Sequence, residues 1–293
     1  MDTSGLGTGC RPRRVAGLNR VLSCGIIVIS TAMCGDGGTT DLDSALDPIT
    51  GEWYHPTVAT TWQWQLQGTI NTAYAVDLYD IDLFDTPATL IASLQASGKR
   101  VICYFSAGSF EDFRPDAANF QSQDLGNPLG GFPDERWLDI RSASVLAIME
   151  ARLDIAVDKG CDGVEPDNVD GFVNNTGFNL TSGDQLTFNR TIANEAHERG
   201  LSVGLKNDLD QISDLISFFD FQVNEQCHEF DECAALDGFI AAGKPVFNAE
   251  YESRLVSDAA ARAQLCEAAR TRNFRTLILP LDLDDSFRFS CDS

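Results

Sequence analysis

The chain has 293 residues, of which 43% are hydrophobic, enough to bury one large core or two small ones. Its net charge is −23, and removal of residues 1–34 leaves 17 basic against 43 acidic side chains, a net charge of −26. A surface this acidic repels phosphate groups, which excludes nucleic acid and anionic lipid as partners. It would suit a cationic partner, but on charge by itself the solubility of an exported protein is the favoured explanation.

The first 34 residues have the pattern of an export signal. Four arginines within residues 11–20 precede an apolar run over residues 21–33, which is too short to span a bilayer as a helix. Thr31–Cys34 resembles a bacterial lipobox in which Cys34 becomes the lipidated first residue, although Met33 stands where a small residue is usual. Plain cleavage of the signal is the alternative. We therefore predict a secreted protein or a cell-envelope lipoprotein, with a lipid anchor at Cys34 as its one contact with a membrane.

Residues 35–60 are rich in Gly, Thr and Asp and are predicted to form a flexible linker. Within them, residues 41–52 half-match a calcium-binding loop, but Ala45 and Leu46 occupy positions that require an acidic residue and a glycine. The linker interpretation is therefore favoured, and the folded domain is predicted to cover residues 61–293.

Short apolar runs alternate with longer helical patterns from Trp62 onward. Several runs, such as residues 100–105, are apolar almost throughout, which is typical of parallel strands covered on both faces. The predicted strands are 62–67, 73–79, 100–106, 162–166, 201–206, 218–224, 245–250 and 275–280. The predicted helices are 86–97, 142–158, 182–199, 208–216, 232–242 and 256–272. This alternation predicts an α/β fold, a single (β/α)8 TIM barrel, with a doubly wound open sheet as the alternative.

One connection, residues 108–138, is too long for a simple turn between a strand and a helix. It follows the carboxyl end of a predicted strand, where the active sites of barrel enzymes lie. We expect this segment to form a lid or a substrate-binding loop.

Six cysteines follow residue 34, an even number that is typical of disulfide-bonded exported proteins. Of the 15 possible connectivities, Cys227–Cys233 would close a short loop, Cys266–Cys291 would tie down the C-terminus, and Cys103–Cys161 would then join neighbouring strands. Zinc is the alternative, but the sequence has no CxxC pair and three histidines in all. Disulfides are favoured, and no metal or cofactor is expected.

Acidic and polar residues concentrate at the carboxyl ends of the predicted strands, where barrel enzymes place their catalytic groups. So many strands end in this way that helix capping and solvated loops are a poor explanation. The sequence lacks a GxSxG nucleophile elbow, a phosphate-binding loop and a dinucleotide fingerprint. Paired carboxylates, the groups that perform glycoside hydrolysis, are the remaining chemistry.

Seven short runs of sequence resemble glycoside hydrolase family 114, and they occur in order across most of the predicted domain. They are residues 62–68 (WQWQLQG), 79–85 (YDIDLFD), 101–109 (VICYFSAGS), 163–171 (GVEPDNVDG), 204–208 (GLKND), 223–227 (VNEQC) and 249–251 (AEY). The resemblance implies a secreted barrel enzyme, an endo-α-1,4-polygalactosaminidase that acts on galactosamine-containing exopolysaccharide. The acidic motifs show no departure that would indicate an inactive enzyme.

The resemblance also implies two catalytic carboxylates on the fourth and sixth barrel strands, which are Asp167 and Glu225 in this sequence. We predict that Asp167 attacks the anomeric carbon and that Glu225 protonates the leaving oxygen, with retention of configuration. Glu165 is the alternative nucleophile, and Glu250 is the alternative acid. The residues expected to bind substrate are Asp80, Asp82, Tyr104, Asn168, Asp170, Lys206, Asn207, Asp208, Glu250 and Tyr251.

A partly deacetylated amino-sugar polysaccharide is cationic and would suit the acidic surface. The expected function is therefore endo-cleavage of such a polymer by a monomeric enzyme. Three alternatives remain: a hydrolase of another α-galactoside, a non-catalytic carbohydrate-binding surface protein with an acidic cleft, and a calcium-binding structural module.

Overall fold

Twelve strands and seven α-helices lie within residues 46–292, the part of the chain that the computed structural model describes. The predicted signal peptide, the predicted lipid-anchor residue Cys34 and residues 35–45 of the predicted linker lie outside the described residues. The strands are β1 (Trp62–Gln65), β2 (Leu78–Asp82), β3 (Arg100–Ser106), β4 (Ser109–Glu111), β5 (Leu125–Leu129), β6 (Phe132–Leu138), β7 (Gly163–Asp167), β8 (Ser202–Lys206), β9 (Phe221–Glu225), β10 (Val246–Glu250), β11 (Arg275–Ile278) and β12 (Phe289–Ser290). The α-helices are α1 (Ala88–Ala96), α2 (Ala143–Lys159), α3 (Ser182–Glu198), α4 (Ile212–Leu215), α5 (Asp237–Ala241), α6 (Arg254–Ser257) and α7 (Ala259–Thr271).

Eight parallel strands form one strongly curled sheet in the order β1-β2-β3-β7-β8-β9-β10-β11, and the short β12 pairs antiparallel with β11. Helices lie in most of the connections, so the predicted TIM-barrel-like α/β fold is confirmed. Within the described residues, no backbone ladder joins β1 to β11. The C-terminal segment contacts β1 and the residue after it: the amide of Leu66 donates to the carbonyl of Leu283, and Arg288 donates to the carbonyl of Trp62.

The alternation of side chains along the strands separates two apolar layers. Side chains on the inner face, including Trp62, Leu78, Ile102 and Phe247, fill the barrel interior. Those on the outer face pack with the helices in a second and larger layer. A strand residue two positions away from an interior residue therefore points into the barrel as well, and this alternation places the polar groups of the site.

Local sequence signals set the ends of the two longest helices. α2 ends at Gly160, whose φ of 82° is a left-handed conformation that glycine adopts without strain. α3 begins with a capping box in which Thr181 Oγ1 accepts from the amide of Asp184, and the Asp184 carboxylate accepts from the amide of Thr181. The two helices pack behind β7 and β8, the central strands of the sheet.

One predicted strand lies in a different place. The sequence predicts a strand at residues 73–79, whereas β2 covers Leu78–Asp82. Asp80 and Asp82 consequently belong to the strand and do not follow it. They alternate with outward-facing residues and share the face of Leu78, which points into the barrel. The prediction was wrong because it treated acidic residues as the end of a strand, whereas this barrel has a polar interior near its carboxyl end.

The long connection at residues 108–138 contains regular structure. β4, β5 and β6 form a separate antiparallel sheet in the order β4-β6-β5, between β3 and α2. This sheet leaves the barrel at the carboxyl end of β3, on the side where a substrate-binding element was expected. Its cross-strand hydrogen bonds make it a folded wall, whereas the sequence predicted a loop.

The described part of the predicted linker, residues 46–60, lies against the domain. Trp53 stacks on His197 with ring centroids 4.0 Å apart, and its indole nitrogen donates to Asp220. The amide of Ile49 donates to the side-chain oxygen of Asn194 on α3. These contacts differ from a flexible tether, because an aromatic ring in a polar segment gains by burial. The packed region therefore begins before residue 61.

All three predicted disulfides are present, namely Cys103–Cys161, Cys227–Cys233 and Cys266–Cys291. Disulfides persist in oxidising compartments, so an extracellular protein is indicated. Among residues 46–292, no helix is both long enough and apolar enough to cross a membrane.

Candidate active site

Three neighbouring strands bring two carboxylates and one lysine together at the carboxyl end of the barrel. Asp167 is the last residue of β7, Lys206 of β8 and Glu225 of β9. Lys206 Nζ lies 3.0 Å from Asp167 Oδ1 and 3.1 Å from Glu225 Oε2. Because one ammonium group contacts both, these two oxygens are no more than about 6 Å apart.

Asp167 accepts hydrogen bonds on both of its oxygens. Oδ2 accepts from the Tyr104 hydroxyl at 2.8 Å, and Oδ1 accepts from the amide of Asn168 at 2.6 Å as well as from Lys206. Burial, and next the charge of Asp167, raises the pKa of Tyr104 well above 10.0, so the tyrosine remains a donor. Asn168 has a φ of 59°, which asparagine tolerates better than most residues, and its side chain donates to Ser106 Oγ.

Glu225 has its own set of donors. Oε1 accepts from the Tyr251 hydroxyl at 2.6 Å, and Oε2 accepts from Asn207 Nδ2 at 3.2 Å. Asn207 Oδ1 in turn accepts from the amide of Glu225 at 3.0 Å, so one asparagine holds both the backbone and the side chain of this acid. The side chain of Glu225 is 26% exposed, compared with 16% for Asp167, and is the easier of the two for water to reach.

The ammonium group between the two acids is buried. The side chain of Lys206 is 4% exposed, and Nζ lies 5.1 Å from the centre of the Trp64 ring. Burial by itself would lower the pKa of Lys206, but the facing carboxylates, Asp167 foremost, raise it well above 10.5. Lys206 therefore carries a permanent positive charge between two carboxylates that would otherwise repel each other.

A second carboxyl pair, Asp80 and Glu165, lies deeper in the barrel. Both side chains are buried, and no other residue in the described chain hydrogen bonds to any of their four oxygens. Burial is the main cause that raises the pKa of Asp80 to about 7 and the pKa of Glu165 well above 4.5. Adjacent buried carboxyl groups of this kind share a proton. Glu165 Oε1 lies 3.8 Å from Lys206 Nζ, so this pair faces the lysine from inside the barrel.

A cavity of about 1080 Å³ opens over the upper carboxylates. Strand ends, residues 66–70 and the sheet β4–β6 form its walls. Its acidic lining residues are Asp82, Asp85, Glu111, Asp134, Glu135, Asp167, Asp170, Glu225 and Asp282, and its basic ones are Arg114 and Lys206. Because carboxylates far outnumber cations, the cavity is suited to a positively charged ligand.

Some acidic side chains of the cavity wall are paired with an arginine. Arg114 donates to both oxygens of Asp82, at 3.0 and 2.7 Å, and forms an ion pair with Glu111 at 2.8 Å. Asp82 lines the cavity as predicted, but its charge is engaged by Arg114. Glu135 on β6 has no such cation within ion-pair distance among the described residues: Ser109 Oγ donates to it at 2.7 Å, and burial raises its pKa to about 7.

Most of the predicted substrate-binding residues gather around the two acids. Those that line the cavity or contact Asp167 or Glu225 are Asp82, Tyr104, Asn168, Asp170, Lys206, Asn207 and Tyr251. These residues come from β2, from β3 and from the segments at the ends of β7, β8 and β10, so strand pairing is what brings them together.

Four predicted substrate-binding residues do not line the main cavity: Tyr251, which still contacts Glu225, and Asp80, Asp208 and Glu250. Asp80 is inside the barrel, in the lower pair. Glu250 alternates with the inward-facing Ala249, so it lies on the outer face of β10, where it accepts from the amide of His228. Asp208 is also absent from the lining of the main cavity, and its Oδ2 accepts from Nδ2 of Asn189 on α3 at 2.9 Å. The alternative nucleophile Glu165 and the alternative acid Glu250 therefore do not line this cavity.

Three residues of the cavity wall were not predicted from the sequence. Phe113 and Phe132, in the 108–138 segment, are 60% and 52% exposed and line the cavity, and Glu135 lies beside them. Exposed aromatic rings are common contacts of ligands. The signal that was overlooked is aromatic residues in a long connection after a strand.

One group of side chains in the described residues has metal-like spacing. The ligand atoms of Cys227, His228 and Cys233 lie within 4.8 Å of one another. Both cysteines are joined in a disulfide, and zinc requires thiolates. This group therefore does not form a zinc site in the oxidised protein.

A curled parallel α/β barrel with two carboxylates that contact one lysine at its carboxyl end is an arrangement typical of glycoside hydrolases. The family model for glycoside hydrolase family GH114 matches residues 44–293, and the chain belongs to this family. Comparison with curated protein sequences gave no match.

Solved structures agree with this assignment. Ega3 from Aspergillus fumigatus, in complex with galactosamine, is 43% identical, with a TM-score of 0.79 over 83% of this chain and 99% of that chain. The glycoside hydrolase domain of PelA from Pseudomonas aeruginosa is 15% identical, with a TM-score of 0.62 over 77% of this chain and 96% of that chain. Amy13B from Eubacterium rectale is 10% identical, with a TM-score of 0.52 over 80% and 67%. The last two likenesses concern the fold alone.

Proposed function

We propose that the chain is an endo-acting glycoside hydrolase that cleaves α-1,4-linked galactosamine-containing exopolysaccharide with retention of configuration. One observation carries the reaction type: the single ammonium of Lys206 contacts both Asp167 and Glu225, which limits the separation of their oxygens to about 6 Å. Retaining enzymes hold the two carboxyl groups about 5–5.5 Å apart, whereas inverting enzymes leave about 6.5–9.5 Å for a water molecule. The short separation favours retention.

The substrate class rests on charge and on likeness. Nine acidic and two basic side chains line the main cavity, and this excess attracts a sugar that carries an ammonium group. Ega3, at 43% identity, was solved in complex with galactosamine. Both observations favour a polymer in which some galactosamine units are not acetylated.

In the first step of the proposed reaction, Asp167 attacks the anomeric carbon while Glu225 gives its proton to the glycosidic oxygen. The bond from carbon to that oxygen breaks, the reducing-end fragment leaves, and the other fragment stays on Asp167 as an ester. In the second step Glu225 takes a proton from water, and the resulting hydroxide displaces Asp167. Two inversions at the same carbon return the α configuration.

The roles of the two acids follow from their surroundings. Both oxygens of Asp167 accept hydrogen bonds, from Tyr104, Lys206 and the amide of Asn168. These contacts hold the carboxylate in the fixed position that a nucleophile requires. Glu225 is the more exposed acid, so the leaving oxygen and later the water can reach it. In the substrate complex, Glu225 must carry a proton.

The proposed activity is tested by product analysis on three polymers: α-1,4-polygalactosamine, its fully N-acetylated form, and a neutral galactan. We expect release of reducing ends from the first polymer, and NMR of the first products is expected to show the α anomer. Cleavage of the neutral galactan at an equal rate would instead favour the alternative α-galactoside hydrolase. First products in the β configuration would contradict the retaining mechanism.

Two amide variants separate an enzyme from a carbohydrate-binding protein. Asp167→Asn and Glu225→Gln keep the shape of the site, and each should lower kcat by at least about a thousandfold while polymer binding persists. Glu198→Gln, at an exposed position near the end of α3, is the control and should keep full activity. If the wild type and both variants bind the polymer and none of them cuts it, the alternative of a non-catalytic surface protein is correct.

Azide separates the roles of the two acids. With an aryl α-galactosaminide whose leaving group needs no protonation, azide should rescue both Asp167→Gly and Glu225→Ala. The first variant should form the β-glycosyl azide, because azide attacks the face that the nucleophile has vacated. The second should form the α-glycosyl azide, because the azide displaces Asp167 from the intermediate. The opposite pattern would exchange the assigned roles.

The cellular location is proposed from two parts of the chain. Three disulfides favour an extracellular protein. The proposed export signal and lipid-bearing Cys34 lie outside the described residues. Mass spectrometry of the mature N-terminus decides between plain cleavage and a diacylated Cys34.

A further inference from the structure

A second cavity, of about 530 Å³, opens beside the main one. Segments that follow β7, β8 and β9 form its walls. It shares Asp170, Asn207, Glu225 and Gln226 with the main cavity, but Asp167 is not among its lining residues. The two cavities therefore meet at Glu225, and of the two the main cavity is the one that reaches Asp167.

We infer that the second cavity binds the sugar units on the leaving-group side of the bond that is cut. This inference rests on the proposed function, in which Glu225 protonates the oxygen between the two halves of the substrate. The anomeric carbon must lie against the nucleophile, whereas the leaving group lies beside the acid. Because the second cavity meets the acid and not the nucleophile, the reacting ring occupies the main cavity and the leaving chain extends into the second.

The lining of the second cavity matches a cationic chain. Its ionisable residues are Asp170, Asp208, Asp210, Glu225 and Glu232, and no lysine, arginine or histidine lines it among the described residues. Those of the carboxyl groups that are ionised attract ammonium groups, and a neutral galactan gains nothing from them. The ligand of this cavity is therefore an α-linked galactosamine chain with free amino groups.

Asp208, which lines this cavity, has one oxygen without a hydrogen-bond partner. The residue is 3% exposed; Oδ2 accepts from Asn189, whereas Oδ1 has no hydrogen-bond partner. A buried polar atom without a partner costs free energy, so a donor on a bound sugar would relieve that cost. Burial raises the pKa of Asp208 to about 8, and an ammonium group beside the carboxyl would favour the ionised form. Binding of the amino sugar is therefore expected to release protons near neutral pH.

An exposed aromatic ring supplies a second kind of contact. Phe230 is 61% exposed, lines the second cavity, and lies in the loop that the Cys227–Cys233 disulfide closes. A short loop closed by a covalent bond has few conformations, so the ring loses little entropy when a ligand binds. An aromatic face suits both the apolar side of a pyranose ring and an ammonium group.

Two substrates separate the two cavities experimentally. A 4-nitrophenyl α-oligogalactosaminide places no sugar on the leaving-group side, whereas an unmodified α-1,4-galactosamine oligosaccharide places sugars on both sides. For Asp208→Asn and Phe230→Ala, KM for the oligosaccharide should rise by about tenfold, because the first variant loses a contact to an ammonium group and the second loses an aromatic face. For the same variants, kcat/KM on the aryl glycoside should change by less than about threefold.

The control is Val157→Ala, which alters an exposed residue of α2 that lines neither cavity and should change neither value. Because Phe230 is exposed, Phe230→Ala is expected to fold, and it tests the inference even if Asp208→Asn does not fold. Equal losses on both substrates, or no loss on either, would overturn the inference. A wild-type protein that cleaves neither substrate is a different result, because then the proposed function itself fails.

Discussion

The barrel contains two carboxyl pairs at different depths, and their surroundings differ. Asp167 and Glu225 accept hydrogen bonds from a lysine, two tyrosines and an asparagine, and a cavity opens over them. Asp80 and Glu165 are buried, and no hydrogen bond reaches them from any other described residue. The residue types are the same, so the neighbours decide the chemistry. Hydrogen-bond donors surround the upper pair, whereas burial without such donors favours a shared proton in the lower pair.

The largest loss of activity is expected when Lys206, the cation between the two pairs, is removed. Lys206→Met should lower kcat/KM on the order of a thousandfold, because the two upper carboxylates lose their shared partner and repel each other. The pH–rate profile should change as well, because a positive charge that contacts both carboxyl groups is lost. Steady-state kinetics from pH 4 to 9 measures both effects.

A half-buried lysine outside the site is the control for that variant. Lys244 donates to the carbonyls of Ile216 and Phe219 and lies far from both pairs in the fold. Lys244→Met should lower thermal stability and leave the pH–rate profile in place. Similar profiles for the two lysine variants would show that Lys206 acts through folding and not through the charge of the upper pair.

Removal of one donor at a time should have a smaller effect that distinguishes the two acids. Tyr104→Phe deprives Asp167 of a hydrogen bond, and Tyr251→Phe deprives Glu225 of one. Each should lower kcat/KM by about ten- to a hundredfold, the value of one hydrogen bond to a charged group. On the aryl α-galactosaminide, whose leaving group needs no protonation, kcat/KM should still fall for Tyr104→Phe and should change little for Tyr251→Phe. Equal losses on that substrate would contradict the assignment of nucleophile and acid.

The smallest effect on activity is expected from the lower pair. Asp80→Asn can still share a hydrogen with Glu165, so kcat/KM should change by less than about tenfold. Stability should respond to pH instead. The folded protein holds the pKa of Asp80 at about 7 against 3.8 for an ordinary aspartate, so it binds more protons than the unfolded chain between these values. Wild-type stability therefore falls as the pH rises through this range.

Asp80→Asn has no such proton to lose, so the Tm of this variant minus the Tm of the wild type should increase from pH 4 to pH 8. Glu165→Gln should change in the same direction, because burial raises the pKa of Glu165 as well. Thermal unfolding at several pH values measures the difference. A Tm difference that stays constant across this range would contradict the shared proton.

The sequence predicted the upper pair but not the lower one. Asp167 and Glu225 were assigned as catalytic by resemblance, and the structure places them at the ends of β7 and β9. The catalytic assignment itself stays a proposal. Asp80 was expected to bind substrate because the second strand was predicted four residues or so too early. Glu250 was expected to face the substrate because it ends a strand. A position at a strand end says nothing about which face a side chain takes, and that face depends on strand register.

The amino-acid sequence by itself determined the export signal prediction, the α/β barrel, the three disulfide pairs and the family. These depend on composition, on periodicity and on local motifs, which can be recognised along the chain. Only the tertiary structure decided which carboxylates share Lys206, which lie buried without donors, and that a second cavity meets Glu225 but not Asp167. The physical reason is that ionisation and contact depend on neighbours across the sheet, and those neighbours are tens of residues apart in the chain.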